Sequence, residues 1–473
     1  MSVLLVNPNL MRPPIAPLGL EQIADALEKA GHAPHICDLT FAKEWSAALQ
    51  EAITSVRPDA IVLTVRNLDD AYFASQDFIL EKTTRIIRQC RELSPAPVIL
   101  GGVGFSIAPA EVLEYTGAAY GIWGDGEEAL PALLECLAAK KSPAKVPGIV
   151  FRADTGITIA DRPALYTRKE APSRRFFDNA RYFHEGGQAG LETKRGCGQR
   201  CIYCVEPHAK GGRVRLREPE SVVTEVRGLL DQGVDVYHLC DSEFNLPMDH
   251  AHAVCAALER AGLGGQIQWY TYAYPHPFSI ELARAMARAG CAGINFGVDH
   301  VHPDILRRLG RNYGLAELRQ TAQACRDAGL ALMFDMLLGS PGETRQTLAQ
   351  AIDAMREIQP DRVGLSCGVR IYPNTPLANM VRKQGPLEKN PHLHGTTHDN
   401  DSLLKPIFFV DAGLEGSLHA LVTDLVAGDK RFLHADPAQI EGNYNYNDNS
   451  VLSNAIRAGA RGAYWDILRR MEE

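Results

Sequence analysis

Residues 194–212 of the chain, KRGCGQRCIYCVEPHAKGG, place three cysteines in a short loop rich in glycine and arginine. Cys197, Cys201 and Cys204 are separated by three and then two residues. The loop follows a strand-like segment, and strand-like and helix-like segments then alternate as far as about residue 380. This alternation predicts a full or partial α/β barrel over residues 191–380, with the cysteine loop after its first strand.

The region before the barrel is predicted to form a separate α/β domain. Within residues 1–141, short apolar runs such as PVILGG (97–102) are separated by helical patterns. Short buried strands that alternate with helices are typical of a doubly wound parallel sheet, which binds ligands at the carboxyl ends of its strands. Residues 142–190 are expected to form a connector with a small hairpin, and residues 381–473 a C-terminal cap.

Composition narrows the class of protein. A chain of 473 residues is expected to form about two to three domains. The formal net charge of -8 argues against nucleic acid or an anionic membrane as a partner. The chain contains no run of about 18 apolar residues, so no transmembrane helix is predicted. The first residues do not resemble a signal peptide. Eleven cysteines without a secretion signal indicate reduced thiols and a cytoplasmic protein.

The three clustered cysteines suit an iron–sulfur cluster better than zinc. Zinc usually takes four ligands in pairs, and although His208 lies nearby, no second pair is evident. A purely structural role for three such close thiols in a polar loop is a further, less favoured alternative. Thiolates are the usual ligands of iron–sulfur clusters, and a cubane held by three of them keeps one iron open for a substrate or cofactor.

The CxxxCxxC motif, with Tyr203 just before its last cysteine, resembles that of the radical S-adenosylmethionine (SAM) superfamily. The resemblance implies a [4Fe-4S] cluster bound by the three cysteines, and SAM bound at the open iron. No catalytic residue is assigned beyond the cluster ligands. Later segments, among them YHLCDSEFNLP (237–247) and MLLGSPGET (336–344), are similar to the family's SAM-contacting strand ends. The residues implied to contact SAM are Tyr203, Asp241, Glu243, Gly297, Asp299, Gly339 and Arg370, and for Arg370 a structural salt bridge is an open alternative.

The N-terminal region resembles the cobalamin-binding branch of the same superfamily. The resemblance rests on NPNLMRPPIAPLGLEQIADALEKAGH (7–32), GGVGFSIAP (101–109) and GIWGDGEEAL (121–130). The motif DxHxxG, whose histidine binds cobalt in some cobalamin enzymes, is absent, so no cobalt ligand is named. The residues implied to contact cobalamin are Arg66, Asn67, Gly101, Gly102, Gly104, Ser106, Gly124 and Glu127. An alternative for the segment around Asn67 is the start of a helix, capped by Asn67 or Asp69.

The resemblance implies a radical SAM transferase, with cobalamin-dependent methyl transfer in specialised metabolism as the leading interpretation. Radical transfer of a 3-amino-3-carboxypropyl group from SAM to a thiol or to trivalent arsenic is the alternative reaction. A non-catalytic cobalamin-binding sensor is the alternative of another class. The expected partners are a small-molecule or peptide substrate and an electron donor such as flavodoxin or ferredoxin. The aromatic and asparagine residues of 441–471 are expected either to close over the substrate or simply to pack.

Overall fold

The computed structural model describes residues 1–161, 163–187, 189–414, 416–434 and 449–471. A seven-stranded sheet with the order β2-β1-β3-β4-β5-β6-β7 forms the N-terminal domain. Its strands are β1 (Ser2–Asn7), β2 (Ala33–Asp38), β3 (Ala60–Thr64), β4 (Val98–Gly101), β5 (Tyr120–Ile122), β6 (Ile149–Ala153) and β7 (Gly156–Ile159). The first five strands are parallel, and β6 and β7 add to β5 in antiparallel pairings. The hairpin expected in the connector therefore extends the N-terminal sheet.

Helices cover both faces of this sheet, as the doubly wound prediction requires. The helices are α1 (Leu18–Lys29), α2 (Trp45–Val56), α3 (Ile79–Leu93), α4 (Val103–Ile107), α5 (Pro109–Thr116) and α6 (Gly126–Ala138). Successive side chains of β1 point to opposite faces of the sheet. Val3 and Leu5 join the core formed with α1 and α6, whereas Leu4 and Val6 join the core formed with α2, α3 and α5.

The second half of the chain contains the remaining elements. Its strands are β8 (Ala189–Leu191), β9 (Lys194–Arg195), β10 (Arg215–Leu216), β11 (Val236–Leu239), β12 (Gln268–Ala273), β13 (Cys291–Asp299), β14 (Ala331–Leu338), β15 (Arg362–Cys367), β16 (Val369–Arg370), β17 (Leu393–Gly395), β18 (Ile407–Phe409) and β19 (Phe432–His434). Its helices are α7 (Asn179–Gly186), α8 (Glu206–Ala209), α9 (Pro219–Leu230), α10 (Met248–Arg260), α11 (Ile280–Arg288), α12 (Pro303–Leu309), α13 (Leu315–Ala328), α14 (Arg345–Ile358), α15 (Pro376–Lys383), α16 (Leu418–Val426), α17 (Ser450–Arg457) and α18 (Tyr464–Met471).

A partial barrel is the central feature of this half. Seven parallel strands pair in the order β19-β15-β14-β13-β12-β11-β8, so that β8 and β19 form the two edges. Six of the strands come from the region where strand-like and helix-like segments alternate, and β19 comes from the region expected to form only a cap. The predicted α/β class, with a doubly wound domain before a partial barrel, is confirmed.

The C-terminal region covers the barrel with a small antiparallel sheet and several helices. The sheet has the order β16-β18-β17, and α15 packs against it. Ile202 and Tyr203 of the cysteine loop contact this layer, so the cap supports the loop from outside. Of the expected C-terminal aromatic and asparagine residues, those at 441–448 lie outside the described part of the chain. No helix in the described residues has the length and apolar character to cross a bilayer.

Candidate functional site

Two adjoining cavities lie where the N-terminal sheet meets the barrel. The first, the lumen cavity, has a volume of about 550 Å³ and extends from the cysteine loop into the barrel. The second, the edge cavity, has a volume of about 410 Å³ and lies at the carboxyl ends of the parallel N-terminal strands. The residues that line both cavities are Ile15, Arg66, Asn67, Gly190, Lys210 and Cys240. Ligands bound in the two cavities would therefore lie side by side.

The cysteine loop is held in shape by close backbone contacts on both sides. Gly196 has a φ of +87°, and a Cβ there would lie 2.4 Å from the carbonyl oxygen of Arg213. On the other side, the Ile202 amide donates to the carbonyl of Leu309 at 3.1 Å. Gly310 follows with a φ of +82°, where a Cβ would lie 2.5 Å from the Arg200 carbonyl. Glycine is required at both positions because any side chain would push the loop away.

The sulfur atoms of this loop are a suitable donor set for a cluster. Cys197, Cys201 and Cys204 all line the lumen cavity, and all eleven cysteines of the chain are free. Within the described residues, no three histidine, cysteine or acidic side chains converge closely enough to hold a single metal ion. Three thiols around one cavity suit an iron–sulfur cluster, because thiolates are its usual ligands.

Two predicted SAM-contacting acids line the lumen cavity next to the cysteine loop. Asp241 is buried and accepts hydrogen bonds from the amides of Thr193 at 2.8 Å and Lys194 at 3.2 Å, so it holds the strand that leads into the loop. The Glu243 carboxyl accepts no hydrogen bond from the described residues. Burial raises the pKa of Glu243 to about 7, although Arg311 opposes the shift. Of the two acids, Glu243 is thus the more available to a cationic ligand.

Tyr203 and Asp299 form one buried polar group with Arg311. The Tyr203 hydroxyl donates to Asp299 at 2.6 Å, and Arg311 Nε donates to the same carboxylate oxygen at 2.5 Å. Arg311 Nη2 also donates to the carbonyl of Gly297 at 3.1 Å. Tyr203 and Arg311 line the lumen cavity, whereas Gly297 and Asp299 lie behind them. Arg311 Nη1 is buried without a partner in the described structure, which makes it a candidate anion-binding donor that the sequence analysis missed.

The structure places two other predicted SAM contacts away from both cavities. Arg370 pairs with Asp69, with side chains 4% and 0% exposed, and its Nε donates to that carboxylate at 2.8 Å. This geometry favours the salt-bridge alternative for Arg370 over the SAM contact, because the guanidinium is already paired with a carboxylate. Gly339 has a φ of +88°, and its amide donates to Glu343 at 2.6 Å. It shapes the turn after β14 but is not among the residues that line the two cavities.

Most of the predicted cobalamin contacts line the edge cavity. Those that do are Arg66, Asn67, Gly101, Gly102, Ser106, Gly124 and Glu127. At Gly101, and also at Gly19, an added Cβ would meet no protein atom within 4 Å. A side chain there would project into the cavity, so the two glycines keep space for a bulky ligand against the main chain. This cradle fits the group that the resemblance implies.

Close packing also requires glycine at two of the predicted positions, Gly104 and Gly124. A Cβ at Gly104 would lie 2.9 Å from the carbonyl oxygen of Val65, so this glycine lets α4 approach the end of β3. A Cβ at Gly124 would lie 2.2 Å from the carbonyl oxygen of Ala164. Gly104 does not line the edge cavity. The alternative for Asn67 and Asp69 was to cap a helix, but neither does so, because α3 begins only at Ile79.

Glu127 belongs to a charged network between the two domains. Its carboxylate pairs with Arg168 at 2.8 Å and with Arg195 at 2.7 Å. Arg195 precedes the first cysteine and also pairs with Glu192. Nearby cations lower the pKa of the Glu192 carboxyl to about 2, although burial opposes this shift. Asp125 also pairs with Arg195, which adds a second carboxylate from the N-terminal domain to the network. The network therefore ties the edge cavity to the strand that carries the cysteines.

The inner part of the lumen cavity has a polar and aromatic lining that the sequence did not reveal. The lining here includes His238, Tyr270, Tyr272, Asn295, Tyr464 and Trp465. Burial lowers the pKa of His238 to about 4, so its imidazole is neutral at pH 7. Tyr464 and Trp465 come from the C-terminal region, where closure over a substrate was one of two expectations.

Comparisons with known protein families agree with both halves of this site. A radical SAM superfamily model matches residues 191–355, and a B12-binding domain model matches residues 11–134. The first match includes the cysteine loop, and the second includes the glycine-rich strand ends of the edge cavity.

Individual relatives match over most of the chain. Tryptophan 2-C-methyltransferase from Streptomyces laurentii is 32% identical over 448 residues, which cover 81% of this chain and 75% of that enzyme. The solved structure of the radical SAM methyltransferase TsrM from Kitasatospora setae, with tryptophan substrate and a SAM analogue bound, is 31% identical, with a TM-score of 0.91. That alignment covers 99% of this chain and 97% of TsrM. A second TsrM structure, with cobalamin and a [4Fe-4S] cluster bound, has a TM-score of 0.90 at 30% identity and covers 100% and 98% of the two chains.

Proposed function

We propose that this chain, which belongs to the cobalamin-dependent radical SAM enzymes, methylates tryptophan or a closely related indole amino acid. The chain is a methyltransferase that uses a [4Fe-4S] cluster, SAM and cobalamin, so the leading interpretation of the sequence is confirmed over aminocarboxypropyl transfer and over a sensor. The acceptor is the new element. One observation carries it: the match over 99% of the chain to a methyltransferase structure that holds tryptophan as substrate.

The lining of the lumen cavity supports an aromatic acceptor. Five tyrosine and tryptophan residues line it: Tyr203, Tyr270, Tyr272, Tyr464 and Trp465. Trp465 packs over Gly293, where a Cβ would lie 3.1 Å from the indole ring. Aromatic rings prefer offset or edge-to-face contact with other rings, and flat walls of this kind suit a flat heterocycle.

Named residues would hold the cofactors on either side of this acceptor. We assign Cys197, Cys201 and Cys204 as the cluster ligands and the glycine cradle of the edge cavity as the cobalamin site. When bound, the cluster and cobalamin supply the redox and methyl-transfer chemistry that protein side chains lack. Glu243 would bind the ammonium group of SAM beside the cysteine loop, since a carboxylate is a strong acceptor for a cationic donor. The residues shared by the two cavities would place the acceptor between them.

The reductant and location follow from the same proposal. An electron donor such as flavodoxin or ferredoxin would supply electrons to the cofactors. The reducing cytoplasm would keep the cysteine thiols available to bind the cluster. Eleven free cysteines are compatible with that environment. The expectation that nucleic acid is not a partner stays a prediction.

The test is an anaerobic reaction with the reconstituted enzyme, cobalamin, a reductant and SAM that carries a deuterated methyl group. With tryptophan, we expect a product heavier by the labelled methyl group, together with S-adenosylhomocysteine, in mass spectrometry. Phenylalanine and histidine serve as acceptors of matched charge without an indole. Labelling of either of these in preference to tryptophan and other indoles would overturn the proposed acceptor, and Cys201→Ala should give no product with any of them.

A further inference from the structure

One residue on the barrel wall of the lumen cavity belongs to a polar pair. Asn295 of β13 is 6% exposed and lines the cavity. Its amide nitrogen Nδ2 donates to Asp335 Oδ2 on the neighbouring strand β14 at 2.7 Å. In the described structure, Asn295 Oδ1 is buried and has no hydrogen-bond partner.

The hydrogen bond to Asp335 fixes the orientation of the Asn295 amide. The carboxylate oxygen of Asp335 accepts this hydrogen bond, so the donor end of the Asn295 amide points to Asp335. The acceptor end, Oδ1, is then directed away from that partner. A buried acceptor without a partner is destabilising, and few are left so in folded proteins. An unpaired acceptor beside a ligand cavity is therefore a place for a donor on the ligand.

We infer that Asn295 Oδ1 accepts a hydrogen bond from an N–H group of the methyl acceptor. Asp335 is a positioning residue, because it acts through the orientation of the Asn295 amide. This inference rests on the proposed indole acceptor and adds the group that recognises it. Tyr272, the register partner of Asn295 on β12, also lines the cavity and places an aromatic side chain beside the amide. A site with a placed acceptor selects an N–H heterocycle or amine over a purely hydrocarbon ring.

Two N–H groups of tryptophan have this chemistry, the indole N–H and the amino group. Three ligands separate them: tryptophan, its benzothiophene analogue, in which sulfur replaces the indole N–H, and indole-3-propionate, which lacks the amino group. Their dissociation constants are measured by calorimetry on the enzyme with cluster and cobalamin bound, without turnover. The variants are Asn295→Leu, which removes the acceptor at similar size, and Asp335→Asn, which lets the Asn295 amide turn.

The wild-type enzyme is expected to bind tryptophan about tenfold or more tightly than one of the two analogues. Discrimination against the benzothiophene identifies the indole N–H as the donor, and discrimination against indole-3-propionate identifies the amino group. Asn295→Leu should abolish that discrimination by weakening tryptophan and the analogue that keeps the donor N–H, while the analogue that lacks it binds as before. Asp335→Asn should reduce it while the fold, followed by cluster and cobalamin content, is kept.

The other outcomes overturn the inference. If Asn295→Leu weakens all three ligands equally, or leaves the discrimination intact, Asn295 has only a structural role. If Asp335→Asn lowers the affinity for all three ligands by one common factor, Asp335 likewise has only a structural role. If the wild-type enzyme binds none of the three ligands, the indole acceptor itself is wrong and the inference is lost with it, so the two failures are distinguishable.

Discussion

Removing one member of the ion pair between Asp69 and Arg370 should strongly destabilise the contact between the N-terminal domain and the C-terminal cap. The two paired side chains are 0% and 4% exposed, and the Tyr372 hydroxyl also donates to Asp69 at 3.1 Å. Removing one member of a buried pair costs about 3–5 kcal/mol. Arg370 keeps the carbonyl of Leu404 as an acceptor at 3.0 Å, so we expect Asp69→Leu to cost about 3 kcal/mol in unfolding free energy.

The assay is urea unfolding of four proteins in a double-mutant cycle. The wild type, Asp69→Leu, Arg370→Met and the double variant are compared. Replacing a buried pair by apolar residues of similar volume is often neutral, so the double variant should recover most of the loss, with a coupling energy of about 2–3 kcal/mol. Single variants that each cost less than about 1 kcal/mol would refute the reasoning.

The same variants decide the role of Arg370. If its function is the ion pair, the double variant should bind SAM as tightly as the wild type, measured by equilibrium dialysis. If Arg370 contacts the SAM carboxylate, as the family resemblance implied, the double variant should regain stability but not affinity for SAM.

Three further predictions address the cluster, the cobalamin cradle and a titrating acid. Cys201→Ala should lose the cluster and SAM cleavage, measured as iron content and nucleoside products, whereas Cys255→Ala in the buried face of α10 should keep both. Gly101→Ala should keep wild-type stability but weaken cobalamin binding about tenfold or more in a spectrophotometric titration, because its methyl group enters the edge cavity; Gly228→Ala, in the exterior helix α9, is the matched control with unchanged affinity. Burial raises the pKa of Asp70 from 3.8 to about 6, so the stability contributed by the protonated carboxyl is lost as the pH rises through about 6. Asp70→Asn should therefore raise the urea midpoint more at pH 8 than at pH 5. An equal gain at both pH values would contradict this.

The elements that form the site were largely predictable from local sequence. Short apolar runs between amphipathic segments indicate buried parallel strands, and the carboxyl ends of such strands meet at one edge. The spacing of Cys197, Cys201 and Cys204 is a local signal that does not depend on the rest of the fold. Both signals come from residues close together in the chain, and for this reason the cysteine loop and the glycine cradle could be located without a structure.

The orientation of single polar residues was not predictable in the same way. Asn295 lies inside the apolar run of β13, and only the assembled barrel shows which face of this strand lines the lumen cavity. Asp69 and Arg370 are 301 residues apart, so their pairing depends on how the domains meet. Arg370 lies at the expected strand end, but its guanidinium pairs with the carboxylate of Asp69, which is distant in sequence. Local patterns cannot reveal such long-range competition.

The shared wall between the lumen and edge cavities has a consequence for the evolution and engineering of the enzyme. Arg66 comes from the N-terminal domain and Cys240 from the barrel, yet each lines both cavities. The salt bridges of Arg195 to Asp125 and Glu127 cross the same boundary. The two halves therefore do not behave as interchangeable modules. A chimera that takes its N-terminal domain from a relative must also take matching residues around Arg195, or two intact half-sites will face each other out of alignment.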